Sequence, residues 1–401
     1  MTTETPTFRY DPFAQAVVDD PYPFYRVLRD AHPAYHVEER DCWTLSRYED
    51  VQAAARDWAT FSSASGIELD EARTLSREIM GPGVFIASDP PDHDRMRKVV
   101  HAYFTPKAIA SLEERVRTRV RGLVRDLRER GAVDLATDFG WRLPVQLVSE
   151  LLGLPPADEQ LLQQAIFTLQ ARGEDLYEMP DEARATTQRL ADYLDEQIAA
   201  KRAWPDDALL SVLVAAADVG TLHARELRGM AFILLLAATD TTASLLTNSL
   251  THLEHRDDDR RRMVETPEVL PACVEELVRY DAPVQGLARV TTRAVELHGR
   301  KIPADAWVWL LFASANRDER RFERPDELDF SRPQQRHLGF GEGIHHCLGA
   351  PLARLEARVG LGELFSAVPE YELRPGAERL RQHPTRGWVK LPAQVAWVGS
   401  G

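Results

Sequence analysis

The longest helical pattern in the chain runs over residues 225–255, and its middle is apolar on every side. A helix without a polar face has to be buried all round. At ~1.5 Å rise per residue such a helix spans roughly 45 Å, enough to cross a whole domain. The rest of the chain must therefore wrap around one long central rod. The uninterrupted apolar run, Met230 to Ala238, is about half of the ~20 residues that a bilayer span requires, and polar residues follow at once. A core helix is expected, not a membrane span.

Around that rod the sequence reads mostly as helix. Apolar residues at three- and four-residue spacing mark 21–31, 109–130, 143–152, 182–202, 205–217 and 351–367. Residues 42–57 read as a strand leading into a helix. After Tyr280, alternating β-branched and aromatic residues with turn signals indicate a small sheet, and further extended pieces are expected near Val389 and Val395. The fold class is mainly α with a small β subdomain. Although 401 residues would often make two or three domains, no linker-like tract or fixed-period repeat divides them. One domain over 1–401 is expected, with the N-terminal region and 280–400 supplying the β-rich part.

Composition narrows the function. A formal charge of -14 argues against nucleic acid as partner. The first residues show no basic start with an apolar stretch behind it, so a cytoplasmic, membrane-free protein is expected. The three cysteines, Cys42, Cys273 and Cys347, are too few and too scattered for a disulfide framework. One of them stands out by its surroundings.

Residues 337–356 place Phe340, Gly343, Cys347 and Gly349 in the order F-x-x-G-x-x-x-C-x-G. Glycines at 339, 341, 343 and 349 let the backbone approach closely and adopt φ > 0, so that main-chain N–H groups can aim at a thiolate. Pro351 suits the first turn of a helix, which puts Cys347 near the positive end of its dipole. Both effects favour the ionised sulfur. A cysteine that merely fills space needs no such loop. Zinc held by His345, His346 and Cys347 lacks a second Cys/His pair at the usual spacing.

This loop resembles the heme-binding signature of the cytochrome P450 family, and the likeness extends from about residue 43 to about residue 388. The resemblance implies the P450 fold enclosing heme b, with Cys347 as axial ligand of the iron and Phe340 and Gly349 shaping its seat. Thiolate ligation favours O–O bond cleavage, so oxygen chemistry is implied. In the family an acid and an alcohol on the long helix deliver protons, and Asp240 and Thr241 occupy those positions. Read from the residues alone, Thr241 could instead bond back to a preceding carbonyl, and Asp240 could sit in a structural ion pair. Ala238 stands where the family usually has Gly, and its methyl would narrow the oxygen groove.

The resemblance also assigns cationic partners for the two heme propionates: His93, Arg97, Arg289 and His345. Glu276 and Arg279 form an E-x-x-R pair on one helical face, which the family completes with Arg332 as a structural network. Phe85, Phe167, Leu234, Ala237, Val284, Leu287 and Trp388 are the expected substrate-pocket residues, and their character suggests a mainly apolar small organic ligand. No G-x-G-x-x-G opens a βαβ unit, so electrons should come from a separate ferredoxin or similar donor with its NAD(P)H-dependent reductase. Arg95, Lys98, Lys107, Arg354 and Arg358 are the expected docking cations on a monomer. A peroxide-driven enzyme and a non-catalytic binding protein are the rival readings; retention of Asp240 and Thr241 opposes both.

Overall fold

The computed structural model describes residues 8–72, 76–130, 132–173 and 176–398. Its axis is the central helix Ala224–Leu253. Length and composition alone would let this helix cross a membrane, yet 78% of its most apolar window is buried inside the protein. Helices Arg142–Leu152, Asp181–Ala203, Leu209–Asp218 and Ala350–Ala367 pack against it on different sides. Its first turn is closed by Glu226, whose carboxylate accepts from the His223 N–H at 2.9 Å and from Arg95 at 2.7 Å.

A second restraint on this helix is main-chain contact. A Cβ built on Gly83 would stand 1.7 Å from the Glu226 carbonyl oxygen, and one on Gly229 would stand 2.7 Å from the Gly83 nitrogen. Only glycine fits at either position. The segment that continues into Phe85 and Ile86 is thereby laid directly on the helix.

The β part joins the two ends of the chain. Its main sheet has five strands in the order Ala34–Val37, Cys42–Leu45, Trp307–Leu310, Leu287–Thr291, Phe61–Ser62. Cys42–Leu45 runs parallel to Trp307–Leu310, a pairing across more than half the sequence. The extended pieces near Val389 and Val395 are Trp388–Lys390 and Pro392–Ala396. One helix lies outside the segments expected to be helical: Glu159–Leu169 buries Leu162, Ile166 and Leu169 at helical spacing.

Two buried ionic clusters fasten the parts. Glu276 accepts two 2.7 Å bonds from Arg279 and one of 3.1 Å from Arg332, and Arg279 also donates to the carbonyls of Asn316, Pro325 and Glu327. Asp281 accepts from Tyr22 Oη at 2.6 Å, His252 Nε2 at 2.9 Å and Arg386 Nε at 3.1 Å, tying together an N-terminal helix, the central helix and the C-terminal loop. Removing one partner of a buried pair strands the other charge. Arg279→Ala is therefore expected to cost about 3 kcal/mol, read from urea unfolding of the heme-loaded protein.

Candidate functional site

A cavity of about 1240 Å³ lies between the central helix and the loop that precedes Ala350–Ala367. Cys347, Phe340 and Gly349 line it from the loop, and Leu234, Ala237, Ala238 and Thr241 line it from the helix.

The loop's shape follows from two glycines. Gly341 and Gly343 have φ of +69° and +70°, and a Cβ on Gly343 would strike the Ala55 carbonyl at 2.6 Å. Positive φ does not extend to the others. Gly349 has φ -82° and nothing within 4 Å of a Cβ position, because it faces the cavity, while Gly339 is required by contact with Val278 at 2.5 Å. The Cys347 N–H donates to the Phe340 carbonyl at 2.8 Å, and Pro351 lies in the first turn of the following helix.

The N–H groups of Gly349 and Ala350 point at the sulfur, as do the charges of Arg97 and Arg354. The Cys347 side chain is exposed toward the cavity, yet desolvation by the surrounding protein outweighs these effects and pushes its thiol up, contrary to the expectation that the loop alone ionises it. A metal cation at the sulfur reverses that balance, since a coordinating thiol is deprotonated.

The four expected propionate partners come together beside the cavity. Arg97 and His345 line it. His93 and His345 meet with ring centroids 4.6 Å apart, and the charges of Arg289, His93 and Arg97 all act on His345. Among the described residues neither Arg97 nor Arg289 makes an ion pair, and the buried His93 Nε2 has no partner. Burial lowers Arg289 to about 10 and His345 to about 2. His345 is thus neutral in the protein alone, a correction to its expected positive charge: it can donate a hydrogen bond, and its Nε2 lies 3.2 Å from Ser63 Oγ. A buried guanidinium, Arg289, and a half-buried one, Arg97, with no counter-ion among the described residues call for anions. One thiol, two unpaired guanidiniums, an orphaned imidazole nitrogen and apolar walls fit a flat metal macrocycle carrying two carboxylates.

On the central helix Thr241 Oγ1 donates back to the Ala237 carbonyl at 2.7 Å while its side chain lines the cavity. Among the described residues Asp240 makes no ion pair. One oxygen, Oδ2, accepts from Gln170 Nε2 at 2.9 Å and lies 3.4 Å from Thr385 Oγ1; the other, Oδ1, has no partner among the described residues. Burial raises this carboxyl to about 6. An acid near neutrality without a counter-ion can hold and release a proton.

Of the expected substrate residues, Phe85, Leu234, Ala237, Val284 and Leu287 line the cavity. Phe167 and Trp388 do not. Phe167 packs on Trp141 with centroids 4.5 Å apart, and Trp388 accepts from Trp141 Nε1 through its carbonyl while its ring lies under Arg379. The expected docking cations are also corrected. Arg354 pairs with Glu275, Arg358 with Glu113, and Arg95 with Glu226 and Asp92. Lys98 and Lys107 remain unpaired among the described residues.

Sequence reasoning missed Gln170, Thr385 and Ser63, whose partners lie far away along the chain. It also missed Glu356, a cavity-lining carboxyl whose acidity burial pushes well above its ordinary range. Its signal was available, since Glu356 falls on the buried face of the last helix with Leu352, Leu355 and Val359.

The profile of the cytochrome P450 family matches residues 161–384. A vitamin D(3) 25-hydroxylase of Pseudonocardia autotrophica is 36% identical, over 98% of this chain and 98% of its own. The structure of a mutant of P450 EryK with erythromycin B aligns at TM-score 0.85 and 34% identity, over 96% of this chain and 99% of that one. A P450 from Bacillus megaterium, solved with testosterone, aligns at TM-score 0.85 and 29% identity, over 95% and 99%. The chain belongs to the cytochrome P450 family, the heme b monooxygenases.

Proposed function

We propose that this chain inserts one oxygen atom from O2 into a mainly apolar organic molecule, with Cys347 holding the heme iron and Asp240 and Thr241 handling protons. The observation that carries the reading is one cavity lined by Cys347 and Thr241 whose remaining wall is largely apolar, including Phe85, Ile86, Ile233, Leu234, Val284 and Leu287. When bound, the heme supplies the redox chemistry that activates dioxygen.

The protein's own residues supply the rest. Arg97, Arg289, His93 and His345 would seat the propionates and so fix the macrocycle's rotation. The apolar wall excludes water and orients substrate by shape. Asp240 holds a proton at Oδ2 or Oδ1, and the Thr241 hydroxyl, anchored on the Ala237 carbonyl, presents its oxygen toward the cavity. Ala238 adds one methyl to this surface where the family usually has Gly. Relatives that are named for vitamin D(3), or were solved with erythromycin B or testosterone, favour a bulky, largely apolar substrate.

Electrons are proposed to come from a ferredoxin and its NAD(P)H-dependent reductase in the cytoplasm. Lys98 and Lys107 are the free cations of the expected patch, and Arg56 and Arg336 share one carboxylate, Glu342, in the cysteine loop, leaving excess positive charge there. Lys98→Glu is expected to slow reduction by an acidic ferredoxin roughly three- to tenfold in stopped-flow at low salt. Unchanged rates at Lys98 and Lys107 would remove this docking surface.

The test of function is turnover of the heme-loaded protein with ferredoxin, reductase and NAD(P)H against a panel of steroids, macrolides and fatty acids. The expected result is a spin-state shift on binding and product carrying one oxygen atom from labelled O2. Binding without oxygenated product would favour a sequestering protein, and product with peroxide but not with the ferredoxin system would favour a peroxide-driven enzyme.

A further inference from the structure

Each turnover of a monooxygenase consumes two protons: RH + O2 + 2e⁻ + 2H⁺ gives ROH + H2O. Asp240 is buried, so those protons need a route to it from solvent. Its two neighbours differ in what they can carry. The Gln170 amide donates to Oδ2 but accepts a proton poorly at nitrogen, whereas the Thr385 hydroxyl both donates and accepts.

Thr385 also lines a second space. A narrow crevice, with room for little more than a single water, separates the N-terminal residues Tyr10–Tyr25 from the loop 379–386. Three buried polar atoms on its wall have no partner among the described residues: Arg379 Nη1, Gln382 Nε2 and His383 Nδ1. Unsatisfied groups gathered on one narrow crevice mark a place for ordered water. The outer wall includes the half-buried Val18, Arg379 and Pro384, so the crevice reaches the surface. His383 is lowered to about 3 by burial and by Arg172, so the cations on the crevice wall are Arg379 and Arg386, the latter paired with Asp281.

The position of Thr385 is fixed from both sides. It forms an antiparallel bridge with Val284, a residue of the main cavity, and the next residue, Arg386, is locked to Asp281. The hydroxyl therefore stands between the crevice and the carboxylate.

We propose that protons reach Asp240 from solvent through this crevice, with the Thr385 hydroxyl as the last carrier. A crevice water gives its proton to Thr385 Oγ1 as the hydroxyl hydrogen moves to Asp240 Oδ2. Asp240 then carries the proton, Thr385 stays neutral, and the water is restored from solvent. Thr385 is a positioning and relay residue. The inference rests on the monooxygenase reading of Asp240.

The experiment uses the heme-loaded full chain at about pH 5, where a carboxyl of this acidity is mostly protonated. Hydrogen–deuterium exchange of the Asp240 C=O stretch, identified by its loss in Asp240→Asn, is followed by infrared spectroscopy. In parallel, product per NAD(P)H and the solvent isotope effect are measured. Thr385→Val is expected to slow exchange about tenfold or more, to raise the isotope effect and to divert oxygen to peroxide; Thr385→Ser restores all three.

Should Thr385→Val not fold, Val18→Phe at the crevice mouth is expected to act in the same direction. Unchanged exchange and coupling in the foldable variant, or slowing by Gln170→Leu instead, overturns the route. Slowed exchange in Thr385→Val with no oxygenated product from wild type supports the route while overturning the monooxygenase reading.

Discussion

Cys347→Ala is expected to abolish the strongly red-shifted Soret band that the dithionite-reduced, carbon monoxide-bound wild type shows, and with it all oxygenation. The fold should survive. The side chain faces the cavity, and the backbone bond from the Cys347 N–H to Phe340 does not depend on it. Urea midpoints measured without ligand should therefore agree between the two proteins, which separates loss of the sulfur from loss of the structure. A band that persists in Cys347→Ala would exclude this cysteine as the ligand. So would a wild type that takes up heme and never shows the band.

Asp240→Asn should cut product formation about a hundredfold, with oxygen consumption diverted to peroxide. The same change should make the protein more stable at neutral pH. Burial lifts the Asp240 carboxyl from the ordinary 3.8 to about 6, so the folded state prefers it protonated. Its favourable contribution is complete below pH ~3.8 and is lost as pH rises through ~6; above that the folded protein bears a buried, unpaired anion. The interval of about two pH units corresponds to roughly 3 kcal/mol. A neutral amide in place of the carboxylate removes that cost. Denaturant unfolding at pH 7.5 should show a gain of up to about 3 kcal/mol, shrinking to nothing near pH 4. A variant that is inactive and less stable at pH 7.5 would show that Asp240 serves the fold through contacts, not proton transfer.

What could be read from the sequence was what local pattern determines. The central helix was legible because no face of it is polar, and the cysteine loop because glycine spacing and Pro351 constrain backbone shape within a few residues. Glu276 and Arg279 are three apart and bond within one helix. Other features rest on pairings that no local pattern carries. Arg354 is neutralised by Glu275 and Arg358 by Glu113, 79 and 245 residues away, so the expected cationic patch was mostly paired. Asp240 finds Gln170 and Thr385 at separations of 70 and 145. His345 loses its charge because burial and three neighbouring bases act together. Phe167 and Trp388 have the right character for a substrate wall, but Trp141 claims both from outside it.

The contact of Gly83 with the first turns of the central helix sets how substrate range can change in this protein. The floor and the adjoining wall meet there main chain to main chain, so the spacing between them works as a mechanical stop. No side-chain exchange at either glycine can raise or lower it. Variation in ligand size must instead come from the ends of side chains, at Phe85, Ile86, Ile233, Leu234, Val284 and Leu287. Libraries confined to those six positions and sparing Gly83 and Gly229 should reshape the chamber while leaving its frame in place.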